Sequence, residues 1–331
     1  MRFTSTLCLS LYTLLCLSGC GEVTPTGTSV DQKVSQARER NDGPAIWVAK
    51  DYDSTLYLFG TVHLLPEDLS WQKEDMRQAF QESGTIFFEV DTSADAQIEA
   101  VVLSTSLGMR ADGLRLSDGL DNYQLNLLEA AAHNGDLTVA SLDAMKPWLA
   151  AQFLTFTAAT DAGLNPDLAA DEALKSRAAR QQKNIIYLET TEAQFRASAD
   201  LPDFVQNAIL TETLENYNKL GDDMILIAKS WAIGRTDFLA QELIKPMKAR
   251  SPELFNSLLR DRNRKWVTTL SRFMEDSGTG FVAVGTAHLL GEGSLIDELR
   301  EQGYDVRRYH AFKGEAVISA NELSIERVRD E

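Results

Sequence analysis

Blocks of apolar and polar residues predict a folded domain over residues 43–312. Two strand-like apolar runs, 45–49 and 55–59, flank a turn-rich segment, and this arrangement predicts a β-hairpin. A helix is predicted from about residue 70 to 82, with Ser70 as its N-cap. A buried strand over 85–90 follows. The domain therefore begins with strands that lead into a helix.

The middle of the chain has apolar residues at three- and four-residue spacing, which is typical of helices. Helices are predicted over 117–134, 146–160, 167–182 and 202–220, and one strand, 184–189, interrupts them. Alternation of strand and helix then returns, with a helix over 252–275, a strand over 281–284, a helix over 294–302 and a strand over 304–307. The pattern predicts an α/β fold: a mixed sheet from two related halves with a helical insertion, followed by a charged tail over 313–331.

The first residues have the pattern of a bacterial lipoprotein signal. The apolar run 7–17 is too short for a membrane helix and ends in Leu-Ser-Gly-Cys at 17–20, which resembles a lipobox. We expect a signal peptide over 1–19, lipidation of Cys20, and a polar, flexible tether over 20–42. The alternative is an ordinary signal peptide that contains Cys by chance.

Composition narrows the functional classes. The chain has 331 residues, is 44% hydrophobic and carries a formal net charge of −17, values that exclude a largely disordered chain and a many-pass membrane protein. Nucleic acid is not expected as a partner, because phosphate binding needs clustered Lys and Arg. Cleavage before Cys20 leaves no second thiol and therefore no disulfide. The expected location is the cell envelope, anchored by lipid, on the outer membrane facing the periplasm if the source is Gram-negative.

A repeated hexapeptide carries the chemistry. Gly-Thr-Val-His-Leu-Leu at 60–65 and Gly-Thr-Ala-His-Leu-Leu at 285–290 share five of six residues, and each follows a β-run. The chain has four His, of which His63 and His288 occupy the same place in this repeat. Imidazole is the commonest protein metal ligand, and we expect the strand-end carboxylates Glu89 and Glu189 to complete an N/O site if the two motifs meet. The alternative for either motif alone is a structural His that caps the following helix.

Five further motifs follow in order: Phe-Glu-Val-Asp at 88–91, Lys-Pro-Trp at 146–148, Asp-Glu-Ala-Leu at 171–174, Leu-Glu-Thr-Thr-Glu-Ala-Gln at 188–194 and Arg-Asn-Arg-Lys-Trp at 262–266. Together with the repeat they resemble the TraB/PrgY/GumN family over roughly residues 43 to 310. That family includes the TIKI-type metalloproteases and is similar to the erythromycin esterases and the ChaN-like haem-binding lipoproteins. The resemblance implies their α/β fold.

The resemblance also implies site roles. TIKI proteins are metal-dependent proteases, which implies a divalent metal (Mn, Co or Zn) held by His63, His288, Glu89 and Glu189. Glu89 is then a ligand or the general base. Arg262 either stabilises an oxyanion or holds a carboxylate.

Three functions are open at this point. The leading hypothesis is a lipid-anchored, metal-dependent hydrolase, a peptidase of the TIKI type that acts on a peptide or another small substrate through a metal-activated water. The second is a metal-free, esterase-like hydrolase with one His as general base, whose activity would resist chelators. The third is a non-enzymatic lipoprotein that binds haem or a peptide. Covalent Ser or Cys catalysis is not expected, because the sequence has no Gly-x-Ser-x-Gly motif and no thiol beyond Cys20.

Overall fold

The structure, a computed structural model, describes residues 43–311. The predicted signal peptide, Cys20, the tether and the predicted tail lie outside the described residues, and the domain boundaries stay a prediction. The described residues confirm the predicted α/β class, with one mixed sheet and many helices. Among them, no helix is both long and apolar enough to cross a bilayer.

Six strands form the sheet: β1 (Ile46–Lys50), β2 (Ser54–Thr61), β3 (Thr85–Phe88), β4 (Asn184–Tyr187), β5 (Gly278–Gly285) and β6 (Asp305–Arg308). Their order is β4-β3-β5-β2-β1-β6. The first four in this order run parallel, whereas β1 pairs antiparallel with both β2 and β6. The predicted hairpin is confirmed as β1 and β2, with Ile46 opposite Phe59.

Thirteen α-helices are present among residues 43–311: α1 (Glu74–Glu82), α2 (Ala94–Gly108), α3 (Asn122–Asn134), α4 (Val139–Asp143), α5 (Pro147–Asp161), α6 (Ala170–Arg180), α7 (Thr191–Ala199), α8 (Asp203–Ala232), α9 (Thr236–Leu239), α10 (Lys245–Arg250), α11 (Pro252–Phe255), α12 (Asp261–Met274) and α13 (Leu295–Glu301). Short 3-10 turns span Ser117–Gly119, Pro166–Leu168 and Thr286–Leu289, and π-helical segments span Ala240–Ile244 and Asn256–Arg260.

Several predicted boundaries were wrong for identifiable reasons. The first helix begins at Glu74 and not near Ser70, and no side chain caps it. The helix predicted over 117–134 begins at Asn122, because Asp121 and Gln124 form a reciprocal capping box. The strand predicted over 85–90 ends at Phe88, which leaves the following glutamate outside the ladder.

The longest helix, α8, continues past its predicted end at Leu220 to Ala232. Gly221 permits this because it lies where α8 packs tightly on α5. A Cβ at that position would lie 2.4 Å from the Cβ of Ala162 and 2.9 Å from the carbonyl oxygen of Ala158. This glycine therefore serves close helix packing and does not end the helix.

Apolar residues cover both faces of the sheet. Strand residues alternate between the two faces, so Phe59 and Phe88 join the larger cluster beneath α8, whereas Leu58 and Phe87 join the cluster under α12 and α13. The indole Nε1 of Trp231 on α8 donates to the carbonyl oxygen of Gly60 at 2.7 Å. This bond fixes the carboxyl end of β2, where the first repeated motif begins.

Candidate functional site

The two copies of the repeated motif lie side by side. Strands β2 and β5 are parallel neighbours, with Gly60 opposite Val284 and Thr61 opposite Gly285. Gly60 tolerates no side chain here, since a Cβ would lie 2.7 Å from the Oγ1 of Thr286. Both motifs therefore leave the sheet at the same edge, the carboxyl ends of the parallel strands, where the binding sites of α/β proteins lie.

Strand pairing places the two predicted glutamates beside this edge. Glu89 directly follows β3, and its carbonyl oxygen accepts a bond from the backbone N–H of Glu189 at 3.0 Å. The backbone N–H of Gly285, the first residue of the second motif, donates to Oε1 of Glu89 at 2.6 Å. The central position of β5 in the sheet thus connects the carboxylate of Glu89 to the second histidine motif.

A buried arginine holds these groups together. Nη2 of Arg262 donates to Oε2 of Glu89 at 2.8 Å, and Nε donates to both carboxylate oxygens of Glu189 at 3.1 Å. Nη2 also donates to Glu189, and Nη1 donates to the carbonyl oxygen of Leu258 and to His288. All five guanidinium N–H donors are engaged. Of the two roles considered for Arg262, these contacts favour that of holding carboxylates.

The helix that carries Arg262 explains how a charge becomes buried. Arg262, Trp266 and Leu270 follow at four-residue spacing and form the buried face of α12. The guanidinium lies over the Trp266 ring, 4.7 Å from its centroid. The π-helical segment Asn256–Arg260 precedes this turn, and such widened turns are frequent at functional sites.

His288 is a neutral acceptor in this arrangement. The Nδ2 of Asn263 donates to the carbonyl oxygen of Gly293 at 2.9 Å, which directs its Oδ1 to Nδ1 of His288 at 2.7 Å. Nδ1 is therefore protonated, and Nε2 accepts from Arg262 at 3.1 Å. Burial, reinforced by the positive charge of Arg262, lowers the pKa of His288 to about 3.

His63 has a different partner. Its Nδ1 lies 3.0 Å from Oδ1 of Asp171, and the pair is largely buried. The backbone N–H of Ala170 donates to the carbonyl oxygen of Val62 at 3.0 Å, so the start of α6 is fixed beside the first motif. Nε2 of His63 is buried and has no hydrogen-bond partner among the described residues. The carboxylate of Asp171 therefore lies within ion-pair distance of Nδ1, while Nε2 has no partner in the described part of the chain.

The charges of the site set its protonation states. Burial alone would raise the pKa of Glu89, but Arg262, His288 and His63 outweigh it and lower this pKa to about 2. Burial raises the pKa of Glu189 despite the same arginine. Burial opposes protonation of His63, yet the negative charge of Asp171, 3.0 Å away, raises the pKa of this imidazole above 6.5. Glu89 is therefore the firmly ionised glutamate of the cluster.

The predicted metal ligands do not fit a metal in this arrangement. The Nε2 lone pair of His288 accepts from Arg262, and the carboxylates of Glu189 and Glu89 both bond this guanidinium. The other oxygen of Glu89 accepts from a backbone N–H. Only Nε2 of His63 is unengaged. Within residues 43–311, no three His, Cys, Asp or Glu side chains are arranged to hold a metal ion.

A small cavity of about 50 Å³ lies beside His63. Residues of both repeated motifs line it together with three apolar side chains from the helical layer, Met224, Ile227 and Leu243. This volume is large enough for water. Among the residues that line it, His63 is the one titratable side chain. The cavity therefore offers a place for water and an uncharged group.

Three residues of the site had no role assigned from the sequence: Asp171, Asn263 and Gln194. Each lies inside a motif quoted above, and the Nε2 of Gln194 donates to Oε2 of Glu89 at 3.2 Å. Asn263 directly follows Arg262 in the sequence, and this neighbourhood was the one local indication that Asn263 belongs to the site. Nothing in the spacing of the motifs indicates which histidine each residue contacts.

Comparisons with known proteins agree with the resemblance. Residues 45–308 match the model of the TraB/PrgY/gumN family. The uncharacterized protein YbaP of Escherichia coli (strain K12) is 24% identical over 257 residues, which cover 78% of this chain and 92% of the relative. YbaP of Shigella flexneri shows the same identity and coverage. No solved structure matches the chain significantly.

Proposed function

Because the chain belongs to the TraB/PrgY/GumN family, whose model covers residues 45–308, we propose that the histidine cluster is the catalytic centre of a hydrolase. In this proposal His63 is the general base that activates a water molecule. The observation that carries it is the buried His63–Asp171 pair, whose imidazole Nε2 faces no protein partner. A base oriented by a carboxylate on one nitrogen and free on the other is the arrangement that water activation needs.

The reaction follows from these positions. Nε2 of His63 takes a proton from water while the water oxygen attacks an acyl carbon. Asp171 stabilises the imidazolium that forms. His63 then gives this proton to the leaving oxygen or nitrogen as its bond to the acyl carbon breaks, which releases a carboxylic acid and an alcohol or amine. The guanidinium of Arg262 holds Glu89 and Glu189 and accounts for their burial. The substrate is an ester or amide with a small uncharged group, since apolar side chains line the cavity beside His63.

Asp171→Asn is expected to lower kcat/KM for N-acetylalanine p-nitrophenyl ester roughly 100-fold at pH 7, because the imidazolium loses its counter-charge. The pH profile supplies a second signature. His63 must be neutral to act, so wild-type activity rises with pH through a pKa above 6.5. Loss of the carboxylate that raises this pKa moves the rising limb to lower pH.

The chain offers a matched control for this variant. His310 and Asp75 form a second His–Asp pair at the surface, 3.3 Å apart. Asp75→Asn should leave both the rate and the pH profile as they are in the wild type. An unchanged rising limb in Asp171→Asn would refute the role of Asp171.

Metal-dependent hydrolysis stays a second proposal, supported by the same His63. Metal-bound histidines usually donate their other N–H to a carboxylate, a backbone carbonyl or water, and Asp171 is placed beside Nδ1 of His63 as such a carboxylate. The bonds of Arg262 oppose this version, because one of them takes the Nε2 lone pair of His288 and the others place a positive charge against both Glu89 and Glu189.

Removal of metal separates the two versions. We expect ester hydrolysis to survive dialysis against EDTA within about twofold, and mass spectrometry to find less than stoichiometric Mn, Co or Zn in active protein. Loss of activity with EDTA, and its return with one of these ions, would instead establish the metal-dependent version.

The attachment of this hydrolase to a membrane through lipidated Cys20 is also a proposal, supported by the pattern at 17–20. The location in the cell envelope follows from it. Mass spectrometry of the N-terminal peptide of the mature protein tests both.

A further inference from the structure

Helix α2 carries a row of apolar side chains that faces solvent in the described part of the chain. Ile98, Val101 and Val102 are 64%, 45% and 61% exposed, and their three- and four-residue spacing places them on one side of the helix. Ala100, on the opposite side, is fully buried among residues of α5 and α7. The helix is therefore apolar on both sides, and residues 43–311 cover only one of them.

Helix formation does not account for this exposed row. Ile and Val are weaker helix formers than Ala, Glu or Lys, and no packing favours them on a side that faces solvent. Between Ala100 and Met109 the chain has no charged residue. Thr105, one turn after Val101 on the same side, donates its hydroxyl to the carbonyl oxygen of Val101 at 2.8 Å. From Val101 onward the row therefore suits contact with an apolar medium.

The size of the row argues against a second copy of the chain as its occupant. A stable interface between proteins buries roughly 800 Å² on each partner, and three aliphatic side chains expose far less than that. A lipid bilayer needs no such area once another part of the protein holds the domain at its surface, because the second contact is then intramolecular. The lipid proposed on Cys20 is such an attachment.

Sheet topology brings the entry of the chain and the start of α2 to the same edge of the sheet. The chain enters β1 at Ile46, which lies opposite Phe59 near the carboxyl end of β2. Strands β2 and β3 both run parallel to β5, and α2 begins shortly after the carboxyl end of β3. Residues 20–42 reach at most about 75 Å. A bilayer that holds Cys20 is therefore within reach of α2.

We propose that α2 lies on the surface of a phospholipid bilayer, with Ile98, Val101 and Val102 inserted at the boundary between headgroups and acyl chains. With 15 residues the helix is about 22 Å long, too short to span the hydrocarbon core. The formal net charge of −17 opposes an anionic surface, so the partner is zwitterionic phospholipid. This contact is separate from the hydrolase chemistry and does not depend on it.

Photocrosslinking tests the contact directly. The photoreactive residue p-benzoylphenylalanine takes the place of Val102 in the mature chain, residues 20–331, and Cys20 is coupled to a maleimide phospholipid in phosphatidylcholine vesicles. Cys20 is the one thiol of this chain, so the coupling is defined, and it makes the result independent of lipidation in the cell. Irradiation is expected to attach a phospholipid at position 102, which mass spectrometry detects on the peptide that contains it.

Tyr52 supplies the matched control. It is 99% exposed in the turn between β1 and β2, at the opposite edge of the sheet. The same photoreactive residue at position 52 should give at least about tenfold less lipid adduct, since it stays in water. Equal yields at the two positions would overturn the proposal.

A charge within the row provides a second check. Ile98→Glu, one turn before position 102, should lower the yield of lipid adduct there about tenfold, because a carboxylate opposes insertion. The melting temperature should stay as it is, since Ile98 is largely exposed. An unchanged yield in the folded variant would contradict the contact.

The same irradiation identifies any other occupant of the row. A product of twice the chain mass would assign the row to a second copy of the chain. A crosslink from position 102 to residues 312–331 would assign it to the end of the same chain. Either product in place of the lipid adduct overturns the proposal.

Discussion

Replacement of His63 by alanine is expected to lower hydrolysis of N-acetylalanine p-nitrophenyl ester by about 100- to 10,000-fold. The reason is that Nε2 of His63 is the one nitrogen of the cluster with a free lone pair, while that of His288 is taken by Arg262. The measurement is kcat/KM at a pH above the rising limb, where the wild type is fully active.

Two further proteins make this result interpretable. His310→Ala removes an exposed histidine that pairs with Asp75, and its activity should equal that of the wild type. His63→Ala leaves the buried Asp171 with Lys175, 3.6 Å away, as its one remaining charged partner among the described residues. The double variant His63→Ala/Asp171→Ala removes this carboxylate as well, and its melting temperature shows whether the loss of activity is due to unfolding. Added imidazole should restore part of the rate in the single variant. A folded His63→Ala protein with at least a tenth of wild-type activity would rule out His63 as the base.

The largest expected effect on stability belongs to Arg262→Leu. This change leaves Glu89 and Glu189 buried without their cation, and breaking such a network by removing one partner costs about 3–5 kcal/mol. Urea unfolding at pH 7 measures it. Arg272→Leu, on the same helix, is the matched control. Arg272 is exposed, so its loss should cost less than about 1 kcal/mol.

The pH dependence of the Arg262→Leu variant gives an independent check. Without the cation, burial raises the pKa values of both glutamates in the folded state above their values in the unfolded chain. The folded state then binds more protons, so the variant regains stability as the pH falls below 7. In the wild type the pKa of Glu89 is lowered from 4.5 to about 2, and the contribution of this carboxylate is lost only as the pH falls toward that value. Equal pH slopes for the two proteins would contradict this account.

The pattern of apolar and turn residues along the chain predicted much of the sheet but few of the side-chain contacts in the site. The hairpin of β1 and β2 and the strand at β5 follow from short apolar runs with turn signals between them. The repeat itself indicated that His63 and His288 belong to related strand ends. Boundaries failed where a cap or a packed glycine decided them, as at Asp121 and Gly221.

The sequence by itself determined the α/β class, the family and the position of a histidine at the end of each of two strands, because these depend on residue type and spacing along the chain. The tertiary structure alone decided which residues each histidine contacts. Strand β5 lies between β3 and β2, and this brings Glu89 to Gly285. The packing of α12 places Arg262 beside His288. The start of α6 places Asp171 beside His63. The partners in these contacts are far apart in the chain, so no local spacing encodes them.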